Sequence, residues 1–297
     1  MIVGRRVTFG YILIFAFVGL YAAVCLYPFL MVVSGSLTSK SAATMYGFSL
    51  IPREFTTEAY TVLFTNYKAI IKAYQVTVGV TVTGTALALL VNSMIAFTLS
   101  RPSLAGRKFI NIYVLVTMLF SGGIVPWYIV CAQYLHLKDN YFALVLPMVA
   151  SAWNVFLIRN YFNSMPNEIY ESAKVDGAGD FLIYAKIYVP LARPVMATIL
   201  LFAALAYWND WWHGLMLINK QEMYPLQMML RGVISNIMFL MSQNASDSPW
   251  MNQMLARLPG DGVKMALVII TTGPIILLYP FVQRYFVKGI MVGSVKG

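Results

Sequence analysis

Charge is scarce in this chain. Only 11% of its 297 residues are Asp, Glu, Lys or Arg, against 60% that are hydrophobic. One soluble core cannot bury so much apolar surface, so an ordinary soluble domain is excluded and a bilayer is the natural solvent. Cysteine is nearly absent. Cys25 and Cys131 lie in apolar segments without a partner at metal or disulfide spacing, and both read as packing residues. No G-x-x-x-x-G-K-[ST] occurs, and "GDGVK" at Gly260 is too short to cradle a phosphate, which excludes ATP hydrolysis by this chain. His136 and His213 are isolated, H-E-x-x-H is missing, and no serine pairs with a lysine or aspartate inside the apolar runs. The requirements of an intramembrane enzyme fail. Internal repeats, low-complexity tracts and soluble linkers are lacking as well, so residues 1–297 read as a single transmembrane domain.

What is present is a set of long uncharged stretches, at 7–39, 73–100, 109–137, 140–158 and 265–283, with a further one at about 191–217 that contains Asp210. Each can hold a helix of roughly 20 residues, the length that crosses a bilayer. Six transmembrane helices are predicted, an all-α polytopic membrane protein, because a backbone crossing hydrocarbon must satisfy its own hydrogen bonds. The start imitates a secretory signal, and "AAVC" imitates a lipoprotein cleavage site. Val24 suits that site poorly, however, and the apolar run continues to about Val33, long enough to span.

The formal charge of +10 does not point to nucleic acid, since the basic residues stand singly or in pairs at the ends of apolar runs. With both termini cytoplasmic, the inner segments hold Arg5, Arg6, Arg101, Arg107, Lys108 and Arg159 among others, against only Glu168, Glu171, Asp176 and Asp180. Outer loops then fall at about 35–71 and 219–264, and a cytoplasmic loop at about 162–190.

That cytoplasmic loop contains "ESAKVDGAGDFLIYAKIYVP", Glu171 to Pro190. Ser164 reads as an N-cap and Pro166 as a first-turn residue, with Glu168 and Glu171 near the positive end of a short helix reaching about Val175. Gly177 and Gly179 break it, Phe181 to Tyr188 form a second short helix, and Pro190 discourages continuation. Ile169, Ala173 and Asp176 recur at helical spacing, and the excess of acids would be repelled by anionic headgroups. The product is a helix–turn–helix bracket suited to a protein groove; a solvated loop with ordinary caps is the alternative.

Glu171-Ser172-Ala173, three residues, Gly177, nine residues, then Ile187-Tyr188-Val189-Pro190 resembles the EAA signature of bacterial ABC importer permeases, E-A-A-x3-G-x9-I-x-L-P. Ser172 replaces the first alanine and Val189 the leucine, with the spacing intact. "MLFSGGIVPWYIV" from Met118, "WNDWW" from Trp208, "YPLQMMLR" from Tyr224 and "QRYFVKGIMVGSVKG" from Gln283 are similar to the carbohydrate-uptake branch, the maltose G-type subunit and the LplC/YtcP group.

The resemblance implies the type I ABC importer permease fold, in the bacterial inner or cytoplasmic membrane. It also implies a homologous second permease, two cytoplasmic ATPase subunits, an extracytoplasmic solute-binding protein and an oligosaccharide cargo. No cofactor is bound directly; ATP and Mg are used by the partner ATPase. Carried over, Glu171 meets a basic group of the ATPase, Ala173 packs in its cleft and Gly177 supplies the turn, with Ser172, Asp176, Ala178, Gly179, Ile187 and Pro190 completing the coupling loop. A permease for a non-sugar solute and a stand-alone secondary transporter are the alternatives. The latter would want midplane carboxylates, and only Asp210 resembles one.

Three other features invite function. Gly122, Gly123 and Pro126 interrupt the third span, as a gating kink or as a helix-packing site. Trp208, Asn209, Asp210 and Trp211 offer aromatic faces and polar groups, either for a sugar path or as an interfacial aromatic belt. The outer loop from Met241 suits contact with a binding protein or a structural lid, and the basic tail after Arg284 suits lipid anchoring or the ATPase interface.

Overall fold

The computed structural model describes residues 9–65, 67–242 and 260–289, and among these the backbone is helical apart from turns, loops and an isolated antiparallel bridge between Thr38 and Phe55. In chain order the first helices are α1 (Phe9–Ser36), α2 (Lys40–Tyr46), α3 (Glu58–Thr65), α4 (Tyr67–Ser100), α5 (Arg107–Leu119) and α6 (Ile124–Ile129). A π-helical turn at Val130–Tyr134 and 3-10 turns at Tyr141–Leu144 and Leu146–Met148 lead into α7 (Ala152–Asn163). Then come α8 (Asn167–Val175), α9 (Asp180–Ile183), a second π-helical turn at Tyr184–Tyr188, α10 (Val189–Leu191), α11 (Arg193–Trp208) and α12 (Trp212–Leu217). The last helices are α13 (Leu226–Ser242) and α14 (Asp261–Gly289). The sequence around Asn244 to Trp250 and the tail from Ile290 lie outside the described residues.

Contacts divide the chain into two units, Met1–Tyr67 with Gly232–Gly273, and Lys68–Arg231 with Pro274–Gly297. In the first, α1 is apolar on every side and exposed from Gly10 to Leu30, as suits a helix surrounded by lipid or by another subunit, while Ser34 to Ser36 at its end are buried. Ser39 caps α2 by accepting from the Ala42 amide, and Ala59 of α3 packs on Val263 and Ala266 of α14. The segment expected as the outer loop at about 35–71 contains helices of its own.

In the second unit α4 is the spine. Val80 and Ala88 pack with Leu144, Val145, Ala203 and Tyr207, while Ala96, Phe97 and Leu99 pack with Ile158, Phe162, Tyr188 and Ile199. Lipid is as apolar as leucine, so close van der Waals fit rather than water exclusion drives such contacts; the alanines at these crossings let the helices approach.

Among the described residues, two helices, Gly10–Ser36 and Tyr67–Ser100, are long and apolar enough to cross a membrane unbroken. Three further apolar stretches are each a bent helix pair: Arg107–Leu119 with Ile124–Tyr134 at 110°, Tyr141–Met148 with Ala152–Asn163 at 48°, and Asp180–Leu191 with Arg193–Trp208 at 85°. The interruption expected at Gly122 and Gly123 is therefore a sharp reversal, with Gly123 at φ 88°, a conformation costly for any residue bearing a Cβ.

A break inside hydrocarbon frees backbone groups that water cannot satisfy. At the 48° break Asn92, fully buried on α4, supplies the partners: its Nδ2 donates to Val149 O at 2.7 Å and its Oδ1 accepts from Ser151 N at 2.8 Å.

Three local expectations are corrected. Ser164 ends α7, its hydroxyl donating to Tyr161 O at 2.7 Å, and Pro166 is the residue preceding α8. The chain does break before the next span, by 85° at Ala192, but Pro190 itself lies inside the helix: the π-helical turn just before it shifts the hydrogen-bond register, so a proline without an N–H is accommodated. The fifth stretch is not one helix to Leu217 but breaks at Asn209–Trp211, between α11 and α12.

Candidate functional site

The bracket between α7 and α11 shows why its residue spacing matters. α8 ends at Val175, and Gly177 follows at φ 84°. Gly177 N donates to Lys174 O at 3.0 Å and Ala178 N reaches back to Ala173 O at 2.9 Å. These two bonds form a Schellman stop, which asks for glycine just past the helix and an apolar contact between the residues flanking the closure. Ala173 and Ala178 make that contact in one cluster. The A-x3-G part of the signature is thus the sequence form of this helix stop.

Side chains brace the same turn. Tyr170 Oη donates to Asp180 Oδ1 at 2.6 Å, and Lys174 Nζ approaches the same oxygen at 2.9 Å. The Tyr170 hydroxyl, then Lys174, holds the Asp180 carboxyl below the ordinary carboxylate range; burial, then Asp180, pushes the Tyr170 phenol up; Asp180 raises Lys174. Both charged partners are largely solvated, so the pair directs the turn more than it stabilises it.

Of the residues expected to couple to a partner, Glu171, Ser172, Asp176, Gly177 and Gly179 are exposed, and Ala178, Ile187 and Pro190 are half-buried. Ala173 is different. It is buried against this chain's own cluster with Phe162 and Tyr188, so its methyl group is occupied within the chain. Glu171 has no ion-pair partner among the described residues. Beside it the bracket exposes apolar side chains that sequence reasoning passed over, foremost Val175 at 87% and Phe181 at 69%. The available signal was an apolar residue in the last turn before a helix-ending glycine.

The aromatic segment after α11 is divided in its roles. Trp208 is buried with Ala73 and Leu226. Asp210 Oδ1 accepts from the Trp212 and His213 amides at 3.2 and 3.4 Å and contacts His213 Nδ1 at 2.9 Å, so it caps α12. Trp211 is covered by the Arg231 guanidinium, 3.6 Å from the ring centroid, and Asn209 accepts from Gln227 Nε2 at 3.4 Å. A cleft of about 490 Å³ opens instead one turn earlier, lined by Ser151, Trp153, Asn154, Phe202 and Tyr207. Gly122, Gly123 and Pro126 are all exposed and line the reversal between α5 and α6.

A bracket of this pattern, hung between helices that break within the apolar zone, defines the membrane subunit of a binding-protein-driven importer. Residues 69–292 match the family model described as "Binding-protein-dependent transport system inner membrane component", and the chain belongs to that family. It is 38% identical to the polygalacturonan/rhamnogalacturonan transport system permease protein YtcP of Bacillus subtilis (strain 168), over 96% of this chain and 97% of that protein. It is 37% identical to protein LplC of the same organism, over 95% and 92% of the two chains. Among solved structures, a chain from a bacterial ABC transporter involved in the import of the acidic polysaccharide alginate superposes with a TM-score of 0.80 at 29% identity, covering 96% of this chain and 99% of that one. The chain is therefore a carbohydrate-type ABC importer permease, a membrane component and not an enzyme, and the ATPase is a separate component.

Proposed function

We propose that this chain is one of two homologous permease subunits of an ATP-driven importer, fed by an extracytoplasmic solute-binding protein, whose cargo is an oligosaccharide of the uronic-acid class. In this reading six spans cross the membrane, both termini are cytoplasmic, and the bracket is the coupling loop seated on one of two ATPase subunits that use ATP and Mg. The observation that carries it is the bracket's outward face, where Val175 and Phe181 are exposed beside Glu171 and Asp176. Acids disfavour anionic lipid and large exposed apolar groups disfavour water, so a protein groove with a basic group opposite Glu171 suits this face. The reversal at Gly122 and Gly123, with Pro126, supplies a gate.

The cargo class draws support from two similar proteins named for acidic polysaccharides. The chain's own chemistry suits it. Trp153 and Phe202 offer faces for sugar C–H groups, Ser151, Asn154 and Tyr207 offer polar partners, and Arg231, over the Trp211 ring and outside the cleft lining, offers N–H donors to a carboxylate.

The test is competition for uptake of labelled oligogalacturonate in vesicles holding the complete complex. Unlabelled oligogalacturonate should suppress uptake and a neutral oligosaccharide of equal length should not, while Arg231→Gln should lower uptake about tenfold, the loss of one hydrogen bond to a charged group. Equal competition by the neutral sugar, with Arg231→Gln unaffected, would contradict the uronic-acid assignment.

A further inference from the structure

Arg101, just past the end of α4, is 93% buried by its 7% exposure, and no carboxylate lies within ion-pair distance of it among the described residues. A buried charge without a counter-ion is costly and needs other partners. Three rings provide them: the guanidinium carbon lies 4.8 Å from the Phe97 centroid, 4.7 Å from Tyr170 and 4.5 Å from Tyr188. Its Nη1 donates to Tyr188 Oη at 3.0 Å, and its Nε and Nη2 donate to Ser100 Oγ.

Those rings belong to different elements. Phe97 is on α4, Tyr170 on α8, and Tyr188 on the π-helical turn that leads into α10. Tyr170 is also the residue that holds Asp180 across the bracket's turn, and Tyr184 of the same π-helical turn shares a 2.7 Å hydrogen bond with Ser93 of α4. These contacts tie the bracket to α4 through groups whose bonding depends on orientation, beside the apolar packing that Ala173 and Ile183 share with Ala96 and Leu99 in one cluster. A planar fork suits this position. Lysine, a point charge on a flexible stem, cannot stack between three rings and bond Tyr188 together.

We infer that Arg101 is a positioning residue that clamps the coupling bracket to α4, so that the two move as one body when the ATPase drives the loop. This rests on the coupling reading above for the source of the motion, but the clamp itself is measured separately.

The experiment uses the complete complex, with Cys25 and Cys131 replaced by alanine and spin labels at Met94→Cys on α4 and Asn167→Cys on α8, both exposed positions. In the otherwise native complex the interspin distance should be narrow and identical with and without ATP; Arg101→Ala and Arg101→Lys should broaden it and lower sugar imported per ATP hydrolysed about tenfold. Tyr170→Phe keeps the ring over Arg101 and should keep the distance narrow, whereas Tyr170→Ala should not. Should Arg101→Ala fail to assemble, the Tyr170 pair carries the same comparison. A native distance that shifts with ATP, or an Arg101→Lys complex with native distance and coupling, would overturn the clamp. The distance is read whether or not uptake occurs, so an absent uptake counts against the coupling reading alone.

Discussion

Replacing Gly177 by proline is expected to abolish ATP-driven uptake while leaving the chain in the membrane. Proline fixes φ near −65°, whereas this position stands at 84°, and proline also removes the amide that donates to Lys174 O. The Schellman stop then cannot close, α8 loses its end, and the Tyr170–Asp180–Lys174 contacts that span the turn are pulled apart. Gly177→Ala keeps the amide and meets no atom within 4 Å, so its cost is backbone strain alone, about 1–2 kcal/mol. Uptake should therefore fall by roughly tenfold for alanine and below detection for proline, with the amount of chain in the membrane unchanged. The check is vesicle uptake alongside recovery of the ATPase with the purified permease. Native uptake by Gly177→Pro would show that the helix stop has no part in coupling.

The second large effect is expected at Asn92. Its side chain donates to Ala88 O at 2.6 Å and Val149 O at 2.7 Å and accepts from Ser151 N at 2.8 Å, and it is wholly buried. Asn92→Leu fits the volume but leaves the carbonyl of buried Val149 without a partner, while the Ser151 amide lies beside the cleft. An orphaned buried group costs about 1–3 kcal/mol, and a loss of that order follows. A fall of several degrees in the detergent melting temperature, with Asn92→Asp or Asn92→Gln recovering part of it, is the expected outcome. An unchanged melting temperature would mean that the 48° break is satisfied some other way.

These two residues also mark how far the sequence could be read. Gly177 was legible because a helix stop is local chemistry: a short helix, a glycine and a small residue four positions earlier decide it together. The apolar stretches were legible for the same reason, since hydrocarbon imposes length and composition on each one separately. Asn92 and Arg101 were not. Each looks like an ordinary polar or basic residue at a helix position or end, and only the approach of another element, the break at Val149–Ser151 or the rings of Tyr170 and Tyr188, gives it a task.

Misread residues follow the same division. Pro190 is a helix breaker by local rule, yet the π-helical turn before it absorbs the missing N–H. Trp208 carries the chemistry of a sugar contact, yet packing puts it in the core and leaves the cleft to Tyr207 and Phe202, whose neighbours on α7 no periodicity could identify. Ala173, expected in a partner's cleft, is buried in this chain's own cluster, beside the helix stop.

Coupling through the bracket requires it to be a cytoplasmic face that an ATPase covers. Val175 is the most exposed apolar residue on it, at 87%. A single cysteine placed there, with Cys25 and Cys131 replaced, should react with a membrane-impermeant maleimide only from the cytoplasmic side, and the purified cognate ATPase should protect it. Reaction from the outer side, or equal reaction with and without the ATPase, would contradict the account.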